Sequence, residues 1–404
     1  MDIFVARQPI LDRTQKVFAY ELLFRSGYKN FFDCPDRDLA SSKVISNSFF
    51  SMGIETITGG KKAFVNITKN VLLHEYITIL PRESTVIELL EEIEPDEQVV
   101  ASCKKLKKQG FILALDDFVY NDKLTSLIDL ADIIKVDFLA TEVKERGKIV
   151  QRCGTKGIKF VAEKVETHAE FQQAMAMGYT YFQGYFFSKP TILSRKDIPS
   201  FKLHYLRILQ EINHPELDFN RIEEIIKRDI SITYKLLKYA NSAAFAGRCQ
   251  IHSIRRALVR LGGDNIKKII SIIALTGMGT DKPDELLTTS IVRAKFCELL
   301  SPLIGLEDRS SELFLLGMFS LIDAIMDQPL SDIMTEIPLS SDIKNALSGT
   351  KNQLRDAYEF IVAYEKGDWK VVSARQILPV SKEKEIPNIY FKSIEWANQI
   401  GSVR

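Results

Sequence analysis

Eight polar residues stand in or at the ends of short apolar runs in the first half of the chain: Glu21, Asn66, Glu88, Asp116, Asp117, Lys135, Glu163 and Gln183. Five are carboxylates. Crowding them together raises their pKa values and costs stability unless cations compensate. Hard oxygen donors without His or Cys suit Mg²⁺ or Mn²⁺ rather than zinc. Adjacent Asp116 and Asp117 can serve two ions, and two ions about 3.5–4 Å apart are a standard arrangement for cleaving a phosphodiester. In such a site Lys135 would steer the attacking water or neutralise charge at the phosphate. A lone carboxylate after a strand commonly caps the next helix. Capping does not explain Asn, Lys and Gln at equivalent places, so the joint pattern carries the inference.

The elements that must position these residues are legible as apolar runs. They are 19–24, 63–67, 86–89, 111–115, 133–137, 160–163 and 181–185, with an N-terminal strand expected near 3–6. Helical stretches separate them, such as Glu97 to Gln109 with Gly110 as its stop. Strand–helix alternation implies a parallel sheet covered on both faces, or one closed into a barrel. About eight strands is the number of a (β/α)8 barrel, whose strand ends converge on one rim. The segment 190–199, with a proline at each end, reads as a linker. Beyond it the period turns helical: Ile254, Ala257, Leu258 and Leu261 share a face, Gly262-Gly263 ends that helix, and Ile266, Ile269, Ile270 and Ile273 repeat the spacing. Leu313 to Met326 reads as one apolar helix. No strand pattern follows Phe201, and 368–380 is ambiguous.

Length and composition set the frame. A chain of 404 residues, 46% hydrophobic and 26% charged, suits two globular domains. The formal net charge of +1 gives no global pull toward nucleic acid or an anionic membrane. Arg255, Arg256 and Arg260 accordingly read as a solvated helix face, and nucleic acid is not an expected partner. No secretory leader and no membrane span are expected. The 5 cysteines are scattered and never form C-x-x-C, which argues against disulfides and structural zinc and for a cytoplasmic location. The 5 histidines lack ligand-like spacing.

The motifs around these residues carry a specific resemblance. Glu21-Leu22-Leu23-Phe24-Arg25 is similar to the E-A-L-x-R motif of EAL phosphodiesterases, with Leu22 in the alanine place. Phe64-Val65-Asn66 resembles F-V-N, Glu88-Leu89-Leu90-Glu91 resembles E-L-T-E, and Asp116-Asp117-Phe118 matches D-D-F. Lys135-Val136-Asp137 matches K-I-D, Ala162-Glu163-Lys164-Val165-Glu166 resembles A-E-G-V-E, and Gln183-Gly184-Tyr185 followed by Pro190 matches Q-G-Y…P. The resemblance implies hydrolysis of c-di-GMP to pGpG with two Mg²⁺ or Mn²⁺ ions, in a homodimer through the barrel. It implies metal roles for Glu21, Asn66, Glu88, Asp116, Asp117 and Glu163, and catalytic roles for Lys135, Glu163 and Gln183. Arg25 would grip a ligand phosphate beside Leu23. Where the family carries G-T-G-Y-S-S after D-D-F, this chain has Val119-Tyr120-Asn121-Asp122-Lys123, which implies weakened or regulated turnover. Glu91 resembles the residue that anchors that loop.

The second half resembles the HDOD domain, a relative of HD phosphohydrolases, over 236–245, 253–262 and 317–322. Ser320-Leu321 stands where a His-Asp pair would bind metal, and no His-Asp dipeptide occurs in the chain. The expectation is an EAL-type barrel over 1–190, a linker at 191–200, and an all-α HDOD domain over 201–404 without chemistry of its own that serves an unidentified protein partner. The competing expectation is a weak or inactive effector that binds c-di-GMP or a protein.

Overall fold

The computed structural model describes residues 3–26, 54–73, 77, 80–154, 157–188, 200–213, 218–227, 229–241, 251–337, 339–375 and 377–401. They fall into two compact units. The first holds residues 1–189 together with Ala363–Ala374, and the second holds 190–362 and 375–404.

In the first unit eight strands close a barrel in sequence order. They are β1 (Ile3–Asp12), β2 (Val17–Ser26), β3 (Lys62–Ile67), β4 (Thr85–Leu89), β5 (Ile112–Leu115), β6 (Ile133–Asp137), β7 (Lys159–Glu163) and β8 (Tyr181–Gln183). From β2 to β8 every pairing is parallel. The expected eight-stranded barrel is present, with one strand reversed: β1 runs antiparallel to both β2 and β8. The cause is local. Asp12 accepts from Thr14 N–H at 2.8 Å and from Lys16 N–H at 3.0 Å, closing a tight turn that leaves no room for a crossover helix.

One residue from each strand fills the barrel's centre: Ile10, Ala19, Phe64, Val86, Ala114, Ile133, Val161 and Tyr181. This layer is a packed core, not a pore. The intervening helices behave as their sequences require. Glu97–Lys108 starts on an Asp96 cap and ends before Gly110, and His168–Met177 opens with a Thr167–Glu170 capping box.

The second unit is helical throughout its described residues. Helix Asp284–Leu300 packs against both Ser310–Phe319 and Ile386–Gly401. Ile254–Met278 is broken at Gly262, whose φ of 74° and ψ of 163° are not helical, as the glycine pair implied. The single helix expected over Leu313 to Met326 is instead two, Ser310–Phe319 and Ile322–Met326. The ambiguous stretch contains helix Trp369–Ala374. Apart from Ser200, the expected 191–200 linker lies outside the described residues.

Candidate functional site

The side-chain period of a strand is two. Counting two residues onward from the central layer on β2 to β8 gives Glu21, Asn66, Glu88, Asp116, Lys135, Glu163 and Gln183. The barrel therefore carries a polar layer directly above its apolar one, at the carboxyl ends of the parallel strands. Because β1 runs the other way, its contribution is found two residues back from Ile10, at Gln8. Sequence reasoning missed Gln8, because Arg7 beside it also interrupts the run and its place before the core residue Ile10 follows only from the direction of β1.

Lys135 stands at the centre of this layer with its side chain 1% exposed. Its ammonium reaches Glu163 at 2.7 Å, Asp116 at 3.0 Å and Glu21 at 3.3 Å, and it also contacts Glu88. Burial alone would discharge this lysine, but the surrounding carboxylates, Glu163 foremost, outweigh it and hold its pKa well above the ordinary range. One ammonium cannot balance four carboxylates. Burial, with help from neighbouring acids, pushes Glu88 well up and Glu163 up to about 8 despite the lysine.

The carboxylates form two groups compatible with cations. Glu21, Glu88 and Glu163 make a buried one; Glu91, Asp116 and Asp117 make a more exposed one beside it. Glu91, expected to anchor the loop after Asp117, thus stands among the acids themselves. The donor set fits hard divalent ions. Buried Asn66 Oδ1, Glu88 Oε2, Asp117 Oδ1, Glu163 Oε2 and Gln183 Oε1 have no hydrogen-bond partner among the described residues. Such oxygens each cost about 1–3 kcal/mol unless something binds them. Asn66 donates its Nδ2 to Glu21 at 3.2 Å, which leaves the amide oxygen as the available end.

Backbone geometry just past the strands aims these groups. Asp117 has φ 38° and Lys164 φ 54°. Lys164 occupies the glycine place of A-E-G-V-E, and its left-handed backbone accounts for glycine being suited there. Its ammonium lies 3.9 Å from Asp117 and also pairs with Asp137. Gly184 cannot carry a side chain, because a Cβ would stand 2.1 Å from the Val165 carbonyl oxygen.

The loop after Asp117 is exposed at Val119. Asn121 caps the short turn Asp122–Leu124 by accepting from Lys123 N–H at 3.0 Å. The Arg152 guanidinium covers the Tyr120 ring at 4.7 Å. This loop borders a cleft of about 830 Å³ whose lining includes Glu91, Asp116, Asp117, Tyr120 and Lys123. Leu23 is half-buried on β2, while the side chain of Arg25 lies outside the described residues.

In the second unit Ser320 donates to the Gly317 carbonyl at 2.7 Å and accepts from Arg293 at 2.8 Å. A buried arginine therefore stands beside the place of the missing His-Asp pair, and both acidic groups found among the described residues belong to the barrel.

Together, the fold and the polar layer define an acid-mouthed (β/α) barrel joined to an all-helical unit. The family pattern described as EAL domain matches residues 64–190, and that described as HDOD domain matches 198–341. The chain belongs to the family of two-domain EAL–HDOD proteins. It is 37% identical over 408 residues to the uncharacterized protein YuxH of Bacillus subtilis, covering 99% of each chain. It is 35% identical over 375 residues to the cyclic di-GMP phosphodiesterase CdgJ of Vibrio cholerae, covering 91% of this chain and 86% of that one. Among solved structures, the manganese/c-di-GMP complex of Klebsiella pneumoniae BlrP1 aligns with a TM-score of 0.41 at 25% identity, over 46% of this chain and 55% of that one. No described helix is long and apolar enough to cross a membrane.

Proposed function

We propose that this chain is a c-di-GMP phosphodiesterase that opens the cyclic dinucleotide to pGpG at the mouth of its barrel. The observation that carries the reading is the polar layer itself, with two adjoining acidic groups and uncompensated oxygens around one buried lysine. The named activity of the Vibrio relative supports it. Glu21, Asn66, Glu88 and Glu163 would hold one Mg²⁺ or Mn²⁺, and Asp116 and Asp117, with Glu91 beside them, a second. Bound ions would supply a water acidified toward hydroxide and charge to offset the phosphate. The chain's own groups do the rest. Lys135 offsets part of the acid cluster's charge and faces the developing negative charge, and Gln183 offers its free amide oxygen to orient the water. Arg25 and Leu23 are assigned to c-di-GMP binding on the resemblance of Glu21-Leu22-Leu23-Phe24-Arg25 to E-A-L-x-R. The acid-lined cleft has the volume of a small-molecule site.

The loop Val119 to Lys123 favours slow turnover, because it departs from the glycine-containing family loop beside Asp117. We take the barrel to span 1–190 and the HDOD domain 201–404, with 191–200 between them. In this reading the barrel pairs with a second copy in the cytoplasm, and the HDOD domain serves a protein partner. The test is incubation of the purified protein with c-di-GMP and Mn²⁺, followed by chromatography. Formation of pGpG that EDTA abolishes is the expected result. Binding of c-di-GMP without pGpG would make the chain an effector instead.

A further inference from the structure

Residues Ala363–Ala374 arrive from late in the sequence and join the barrel unit as a strap. Gln8 Nε2 donates to the backbone carbonyl of Lys366 at 2.9 Å, across 358 positions of sequence. The Tyr364 hydroxyl donates to the Val5 carbonyl at 3.4 Å, and the Lys366 ammonium lies 4.6 Å from the centre of the Tyr185 ring. Gly367, at φ +66°, packs so closely on Leu23 that a Cβ would stand 2.6 Å from Leu23 Cδ1.

The polarity of these contacts matters more than their number. The two ends of a glutamine amide are nearly the same size, so its neighbours decide which end points where. A peptide carbonyl can only accept. The Lys366 carbonyl therefore draws the N–H end of Gln8, which turns Gln8 Oε1 toward Gln183. Gln183 Nε2 donates to that oxygen at 3.0 Å and to Glu21 Oε2 at 2.7 Å. Both of its hydrogens are then used. Gln183 Oε1 is left buried with no partner among the described residues, as a pure acceptor in the polar layer.

We propose that Gln8, anchored by the Lys366 carbonyl of the strap, is a positioning residue that fixes the amide of Gln183 with its oxygen presented to the attacking water. The proposal rests on the phosphodiesterase reading and extends it to residues outside the motifs quoted above. Without the anchor, Gln8 can turn over and present its own N–H to Gln183, so that the amide of Gln183 loses one of its two acceptors and is held by Glu21 alone of that pair.

Two variants test this. Gln8→Leu removes the amide that bridges strap and layer, and Gly367→Ala strains the strap by placing a side chain at a left-handed backbone position (φ +66°) and crowding Leu23. Gln8→Leu should lower kcat by about tenfold or more, with KM and calorimetric Mn²⁺ affinity each within about threefold of wild type. Gly367→Ala should lower kcat in the same way, and the double variant should be no slower than Gln8→Leu alone. Full kcat in Gln8→Leu, or losses that multiply in the double variant, would overturn the proposal. Hydrogen exchange of 363–374 decides the tether independently of turnover: faster exchange in Gln8→Leu supports it, and unchanged exchange overturns it. A wild type without turnover would refute the phosphodiesterase reading, and with it the catalytic part of the proposal, while the exchange result still decides the anchor. Should Gln8→Leu fail to fold, Gln8→Asn, which draws the amide back from both partners, takes its place.

Discussion

Lys135 gives the sharpest test of how the barrel tolerates its own acids. Its side chain is 1% exposed and its ammonium touches Glu21, Glu88, Asp116 and Glu163. Lys135→Met keeps an unbranched chain of similar length and removes only the charge and the donors. Breaking a buried ion pair from one side costs about 3–5 kcal/mol, because the partners stay buried and uncompensated. For a domain of this size each kcal/mol moves the melting temperature by about 2–4 °C. The metal-free variant should therefore melt roughly 6–20 °C below the metal-free wild type. Divalent metal should restore more of that loss in the variant than it adds to wild type, since the cation takes over the missing compensation. The assay is circular-dichroism melting of both proteins in EDTA and in MnCl₂, with pGpG formation measured alongside and expected to vanish. Metal-free melting temperatures that agree between the two proteins would show that Lys135 is not the charge that makes this cluster foldable.

Glu21→Ala and Asp116→Ala should each lower pGpG formation by at least about a hundredfold. Neither should lower the metal-free melting temperature appreciably, because each relieves repulsion in an over-acidic layer; a large drop for both would make them structural. Ca²⁺, which prefers more ligands at longer range than Mg²⁺, should support c-di-GMP binding and not turnover, and equal rates with the two ions would count against the assigned ligand set. Replacing Val119 to Leu124 by G-T-G-Y-S-S should raise kcat and leave the c-di-GMP dissociation constant within about a few-fold, as calorimetry in Ca²⁺ would show. In the second unit, burial would raise the pKa of Glu298, but hydrogen bonds from Lys268 and Lys295 outweigh it and hold the group below the ordinary range. Its contribution is then present above the unfolded carboxylate pKa and lost as pH falls through the lower folded value. Glu298→Gln should cost about 1–3 kcal/mol near neutrality, and denaturant melts should show that gap closing below about pH 4.

How much of this was legible in the sequence depends on which physical rule a residue obeys. Strand ends in a parallel barrel share one rim, so Glu21, Asn66, Glu88, Asp116, Lys135, Glu163 and Gln183 could be gathered without coordinates. Each is the polar break in an apolar run, and the period of two places it one step beyond a core residue. The same rule hides Gln8. Its strand runs antiparallel, so the equivalent position lies before the core residue Ile10 instead of after it, inside the run. Glu91 was legible as a residue but not in its company, because the turn that follows β4 decides which acids it meets. The grouping of Asp116 with Asp117 depends on a left-handed backbone at Asp117, which periodicity does not encode.

The strap was illegible for a different reason. Lys366-Gly367 looks like an ordinary helix stop, and as a stop it needs no partner. What gives it a second meaning is a carbonyl that accepts from Gln8 and a missing Cβ opposite Leu23, contacts spanning nearly the whole chain. Long-range contacts of this kind leave no local pattern, since neither end departs from what its own neighbourhood would choose. The layer of eight therefore has two kinds of member: seven announce themselves by breaking their strands, and the eighth, found by counting back from Ile10 on the reversed strand, is held by a late glycine-containing turn.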